Sequence, residues 1–147
     1  MVTQNIDGLH QIAGQRNVVE LHGNTRRIIC MSCGREHTMD SAFERLQEAM
    51  PPTCYCGGGL RPDVVFFGEP LPPGAMEAAG DAARRCDLML VVGSSLVVHP
   101  AALVPRIAVE NGARLAIVNI DPTPMDAVAD LVLHMSAVDA LGEAVGI

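Results

Sequence analysis

The chain has 147 residues, 49% of them hydrophobic, a formal net charge of −7 and a mean hydropathy of +0.26. That is one domain's worth of sequence with enough apolar residues for a buried core, which excludes extensive disorder. The acidic balance argues against a nucleic-acid partner, because a phosphate backbone is held by clustered cations, and no run of about eighteen apolar residues is present to cross a bilayer.

No basic start followed by an apolar run marks a secretory leader, so the expected location is the cytoplasm. In a reducing compartment five cysteines point to metal binding or thiolate chemistry rather than disulfides. All ten basic residues are Arg.

In chain order, Met1–Val2–Thr3 reads as the end of a strand, followed by Gln4–Asn5–Ile6–Asp7 and a short helix over 7–13. Residues 20–62 are rich in Cys, Gly, Pro and Arg, with short strands expected at 26–30 and 36–39. An amphipathic helix is expected over 41–49, where Phe43, Leu46 and Met50 recur at helical spacing. So small an apolar area predicts that this segment needs a staple. From residue 63 the texture changes. Apolar runs at Val64–Phe67, Leu88–Val92, Leu115–Ile120 and Leu131–Leu133 read as strands buried on both faces, the pattern of a parallel sheet. Helices are expected between and after them, over 73–85, 100–111 and 137–145, with Pro100 in a first turn and Gly112 closing the second. Alternating strands and helices predict an α/β layer fold with right-handed crossovers. No G-x-G-x-x-G follows a predicted strand, so the standard phosphate-binding fingerprint is absent from this stretch.

Cys30-x-x-Cys33, a gap of twenty residues and Cys54-x-Cys56 offer four thiolates as two close pairs. Four such ligands suit tetrahedral Zn²⁺ in a closed, structural site, and this is the expected staple. The second pair is one residue shorter than the common spacing, which predicts a strained or rebuilt loop. Cys86 stands alone and reads as a small core residue.

Three polar stretches are unlike core sequence. Gln4, Asn5 and Asp7 follow a strand at the edge where open α/β sheets bind ligands, and their side chains can bind a carboxamide or hydroxyls. Taken alone, Asp7 fits better as the N-cap of the 7–13 helix. His22, beside Gly23, could act as a general base, although four other histidines compete for that role. Gly93–Ser94–Ser95 follows a strand and leads toward a helix, leaving room for an anionic ligand.

Taken together, Thr3–Gln4–Asn5–Ile6–Asp7–Gly8–Leu9–His10, Glu20–Leu21–His22–Gly23–Asn24, the two cysteine pairs, Arg61–Pro62–Asp63–Val64–Val65–Phe66–Phe67–Gly68–Glu69, Gly93–Ser94–Ser95–Leu96 and Val118–Asn119 resemble the sirtuin family in order and approximate spacing. The resemblance implies a partial Rossmann-type parallel sheet with an inserted small zinc-binding module. It divides the chain into the start of an NAD-binding domain (1–24), the zinc module (25–60) and the remainder of the NAD-binding domain (61–147). The implied activity is NAD-dependent protein-lysine deacylation, giving nicotinamide, O-acyl-ADP-ribose and free lysine. By the same resemblance His22 is the general base, with Asn5 and Asp7 in the nicotinamide and ribose pocket. Gln4, Ile6, Gly93, Ser94, Ser95, Asn119 and Ala137 join them as NAD contacts. Val65 and Phe67 border an acyl-lysine tunnel, and the Gly68–Glu69 and Leu96–Val98 segments, Val97 among them, pair with substrate backbone, a β-augmentation. The metal ligands are Cys30, Cys33, Cys54 and Cys56. The partner is an acylated lysine on another protein, since the chain contains no Lys.

The family's glycine-rich phosphate loop and first strand precede the Thr-Gln-Asn-Ile-Asp motif and are not in this stretch of sequence. The expectation is weak NAD binding and slow turnover by the chain alone, unless that portion is supplied in trans. The competing readings are a non-catalytic, zinc-stabilised acyl-lysine peptide binder and, disfavoured by charge, a nucleic-acid-binding zinc ribbon.

Overall fold

The computed structural model describes residues 1–146 and divides into two compact units, Met1–Ala75 and the segment from Met76 onward.

The first unit opens with a parallel pair, β1 (Val2–Thr3) and β2 (Val19–Glu20), in register Val2 to Val19 and Thr3 to Glu20. Between them lies α1 (Leu9–Ile12), shorter than the 7–13 expected. The Asp7 carboxylate accepts the Leu9 N–H at 2.9 Å, so Asp7 does serve at the helix start, one residue outside the Gly8 cap position. The rest of the unit is a three-stranded antiparallel sheet in the order β4 (Glu36–His37), β3 (Gly23–Cys30), β5 (Leu60–Val64). Helix α2 (Met39–Glu48) covers it, capped by the Thr38 hydroxyl accepting the Ser41 N–H at 3.2 Å. The core joins Ile28, Cys30, Ala42, Cys54 and Leu60, with Met39 against it.

Two sequence expectations change in this unit. The buried face of α2 is Met39–Ala42, and Phe43 and Met50 are exposed; Leu46 is half-buried. The apolar run Val64–Phe67 is not a strand of a parallel sheet. The strand lies earlier, at Leu60–Val64, and pairs antiparallel with β3, so residue 61 falls inside the small sheet. Pro62 within it disguised the strand. A proline tolerates only an edge strand or an irregularity, and both apply: β5 is an edge, and the register with β3 shifts between Asn24 and Ile28.

The second unit is a three-stranded parallel sheet in the order β6 (Leu88–Val92), β7 (Arg114–Val118), β8 (Leu131–Leu133). Helix α3 (Ala75–Arg84) precedes β6, α4 (Leu103–Glu110) crosses between β6 and β7, and α5 (Ala137–Val145) follows β8 with Ser136 as its cap. Ala75, the first residue of α3, is also the last of the first unit. The α/β expectation holds here, with β8 and α5 at the predicted bounds. Pro100 lies in a turn before α4 rather than in its first turn. The core is Val91, Leu96, Leu115 and Ile117, with Met89, Val109, Met125 and Ala129 against it. Burial on both faces fails for β6: Leu88, Leu90 and Val92 are 58%, 49% and 36% exposed, whereas Val91 between the last two is buried. Strand periodicity of two with α4 packed on one side accounts for the split. Cys86 is half-buried, its thiol donating to the Ala83 carbonyl at 3.2 Å, as suits a packing residue.

Candidate functional site

The parallel β1–β2 pair ends in two turns, and the chemistry-bearing residues sit there. Gln4 to Asp7 follow β1, and His22 follows β2. Register brings them together, with His22 Nδ1 3.3 Å from the Gln4 carbonyl oxygen. A carbonyl only accepts, so Nδ1 carries the hydrogen and the Nε2 lone pair is left as the base. Of the chain's histidines this one therefore combines a fixed tautomer with a place beside the Gln4–Asp7 turn.

That turn is held by its backbone. The Thr3 hydroxyl accepts the Asn5 N–H at 3.1 Å, and the Ile6 carbonyl accepts the Thr25 N–H and hydroxyl at 2.8 and 3.0 Å. The side chains of Asn5, Ile6 and Asp7 are exposed around it. Beneath His22 lies a polar network that sequence reasoning did not single out. Glu20 accepts from Gln11 at 2.7 Å, from Arg27 at 3.3 Å and, through a short bond, from Asn24. Asn24 is buried and its Oδ1 accepts the Arg26 N–H at 2.8 Å. Arg27 also pairs with Asp63 of β5 at 3.0 Å. Spacing on one strand does not announce such contacts, because they cross between strands.

The residues expected to border the acyl-lysine follow β5. The Val65 N–H donates to the His22 carbonyl at 3.0 Å, so this loop is anchored at the histidine turn. Phe67 is fully exposed. Glu69 accepts a two-bond fork from Arg61, at 2.6 and 2.9 Å, and the Phe66 N–H at 3.0 Å. The Arg61 guanidinium in that fork, then the Phe66 N–H, hold the Glu69 carboxyl below the usual carboxylate range.

The second unit gathers its predicted residues at the carboxyl ends of its strands, the edge at which open α/β sheets bind ligands. Gly93, Ser94 and Ser95 follow β6, and the Gly93 N–H bonds the Val118 carbonyl at the end of β7 at 2.8 Å. Asn119 follows β7, its amide donating to the Asp121 carbonyl at 2.7 Å, and Ala137 is the first residue of α5. Leu96, expected to pair through its backbone, has no side chain to offer a ligand. Its side chain is 7% exposed inside the core at φ +55°, so it offers a ligand only its backbone, whereas Val97 beside it is exposed. A further pair lies at the same edge, with His134 3.3 Å from the Asn119 carbonyl and 3.4 Å from the Asp126 carboxylate.

The four predicted metal ligands converge. The sulfurs of Cys30, Cys33, Cys54 and Cys56 all lie within 4.8 Å of one another, with Cys30 to Cys56 at 3.5 Å and Cys33 to Cys54 at 3.8 Å. Zn–S bonds of about 2.3 Å in a tetrahedron place sulfurs about 3.8 Å apart, so the tetrad fits the ion. Donation from the Cys33 N–H, aided by Ser32 N–H, draws the Cys30 thiol down to about 6. Although the Gly58 N–H pulls the other way, the neighbouring Cys30 and Cys33 sulfurs push Cys56 up to about 11. Four thiolates this close require a cation between them. The shortened second pair closes through glycines: Gly57 has φ +85°, and a Cβ on Gly58 would stand 2.8 Å from the Cys30 sulfur. From outside the tetrad, His37 Nε2 lies 3.3 Å from the Cys54 sulfur, and Arg45 of α2 bonds the Thr53 carbonyl at 2.9 Å while covering the Tyr55 ring at 3.8 Å.

Comparison with known proteins agrees with this arrangement. The Sir2 family model matches residues 1–100. The NAD-dependent protein deacetylase of Sulfurisphaera tokodaii is 48% identical over 135 residues, covering 91% of this chain and 53% of that protein. The NAD-dependent protein deacetylase of Haloarcula marismortui is 50% identical over 143 residues, covering 96% and 55%. Among solved structures, a complex described as Sir2 with a p53 peptide and NAD⁺ superposes with a TM-score of 0.91 at 43% identity, covering 99% of this chain and 62% of that one. Sir2Tm bound to a propionylated peptide superposes with a TM-score of 0.92 at 43% identity, covering 99% and 63%. The chain spans about half the length of the curated relatives it matches. With its family motifs in register and its four cysteines drawn into one cluster, the chain belongs to the Sir2 family.

Proposed function

We propose that the chain forms the histidine-bearing and zinc-bearing part of an NAD-dependent protein-lysine deacylase. The observation that carries this reading is the His22 ring, fixed through Nδ1 on the Gln4 carbonyl beside Asn5 and Asp7. NAD would supply the electrophilic ribose carbon, which the acyl-lysine carbonyl oxygen would attack as nicotinamide departs, and water would then release free lysine and O-acyl-ADP-ribose. The residues of this chain take the following parts. His22 Nε2 takes a proton from a ribose hydroxyl, and the Gln4 carbonyl holds the opposite ring nitrogen protonated throughout. Asn5 and Asp7 present an amide and a carboxylate to a carboxamide and hydroxyls. Val65 and Phe67 give apolar surface to a neutral acyl chain, and the Gly68–Glu69 backbone takes an extended peptide. Cys30, Cys33, Cys54 and Cys56 hold a structural zinc that ties β3 to the loop before β5. The same reading places the protein in the cytoplasm, where a reducing milieu keeps those thiols free for metal.

The test is nicotinamide release from NAD in the presence of an acetyl-lysine peptide. Peptide-dependent release is expected to fall about 10²–10⁴-fold in His22→Ala, the range for a general base. Undiminished release by that variant would remove His22 from the mechanism.

A further inference from the structure

The loop after β5 contains an arrangement that the deacylase reading does not use. The Glu69 carboxylate is committed within its own loop. Arg61 Nη1 donates to Oε1 at 2.6 Å, Nη2 donates to Oε2 at 2.9 Å, and the Phe66 N–H donates to Oε2 at 3.0 Å. The Glu69 N–H returns a bond to the Phe66 carbonyl at 3.0 Å, closing the turn Phe66–Glu69. The Arg61 guanidinium stands 5.4 Å from the centre of the Phe66 ring. At the other end of the loop Val65 is bonded to the His22 carbonyl. Between these anchors Phe67 is fully exposed and Gly68 is exposed, so packing does not set their position. The backbone of the turn does, and the fork from Arg61 sets the turn.

Most surface ion pairs hold nothing in place, because two long side chains give up entropy for a weak attraction. This one differs in kind. Two parallel bonds from a planar guanidinium fix direction as well as distance, and one of the accepting oxygens also binds the loop's backbone. The fork side chains are 27% and 35% exposed, partly shielded from water.

We propose that Arg61 and Glu69 form a latch that holds Val65–Gly68 in the shape that receives an acylated peptide, making both of them positioning residues for substrate binding. The proposal rests on the deacylase reading above. With the latch open, the loop samples other shapes, and each peptide must bind the competent fraction or order the loop itself. The loss falls on peptide affinity and not on NAD.

The experiment uses the folded, zinc-loaded chain and its Arg61→Met variant, with Glu69→Gln as the second variant should the first fail to fold. Two quantities are read: amide hydrogen exchange at Phe66 and Glu69 without ligand, and the Kd of a fluorescein-labelled acetyl-lysine peptide beside that of NAD. Opening the latch is expected to speed exchange at Phe66 about tenfold and weaken peptide binding about tenfold, with the Kd of NAD held within about twofold. Arg61→Lys, keeping charge but losing the fork, should recover part of the affinity, and the exchanged pair Arg61→Glu with Glu69→Arg should recover more. Unchanged exchange at Phe66 overturns the latch, whatever the ligands do. Faster exchange with unchanged peptide affinity overturns the substrate role. Absence of peptide binding by the unsubstituted chain overturns the deacylase reading and the substrate role with it, while the exchange comparison still decides the latch.

Discussion

Gly23, next to His22, is where the fold leaves least room. Its φ is +76°, and a Cβ added there would lie 2.0 Å from the Asp63 carbonyl oxygen and 3.1 Å from the Val64 Cα. No rotamer relieves this, because the backbone alone places a Cβ. Gly23→Ala therefore incurs a left-handed strain of about 1–2 kcal/mol and forces β3 and β5 apart at the Gly23–Val64 register pair. Separation endangers the Val65 N–H to His22 carbonyl bond, a further loss of about 1 kcal/mol. The expected loss is about 3 kcal/mol, a large share of the roughly 5–15 kcal/mol that holds a domain folded. Gly14→Ala is the control: φ is +92° but nothing lies within 4 Å, so only the strain of about 1–2 kcal/mol applies. Equilibrium urea unfolding followed by the fluorescence of the single tyrosine, Tyr55, reads the first unit directly, and the chain has no tryptophan to interfere. Equal losses in the two variants would show that the close approach of β3 to β5 is not what demands glycine at position 23.

Two predictions concern the other structural determinants. Purified protein should carry about one zinc per chain, and its removal by a chelator, or Cys33→Ser, should loosen β3–β5 and shift Tyr55 emission while leaving amide protection at Leu115 and Ile117 in place; retention of the Tyr55 signal in metal-free protein would argue that the apolar core of this module suffices. At Leu96, buried at φ +55°, truncation to Ala should cost about 2–4 kcal/mol. Leu96→Gly should be no less stable than Leu96→Ala, reversing the usual order, because glycine releases the left-handed strain; a Gly variant less stable than Ala by the usual ~1 kcal/mol would show that the strain is absent.

The sequence made legible whatever depends on residue type and short spacing. The tetrad of cysteines, the α5 bounds, the β8 strand and the small-residue turn after β6 all belong to that class. Three features escaped, each for its own physical reason. The Glu20–Asn24–Arg27–Asp63 network joins residues of β2, β3 and β5, the β5 strand was hidden by Pro62, and the Arg61–Glu69 fork spans a loop read as a buried strand. The exposed face of β6 escaped for a related reason. An unbroken apolar run reports that a strand is apolar, whereas which of its faces is covered depends on which helices pack against it.

The same distinction separates the groups proposed to react from those that aim them. His22, Asn5 and Asp7 are recognisable because an imidazole, an amide and a carboxylate have chemistry of their own. What gives the imidazole a usable lone pair is a backbone carbonyl, that of Gln4, eighteen positions away. What holds its turn against the loop after β5 is another backbone bond, from Val65 to the His22 carbonyl. Neither acceptor has a side-chain signature. The β1–β2 and β3–β5 pairings supply both, so a change that shifts either register displaces the His22 ring without altering that residue, and Gly23 lies at the junction of the two.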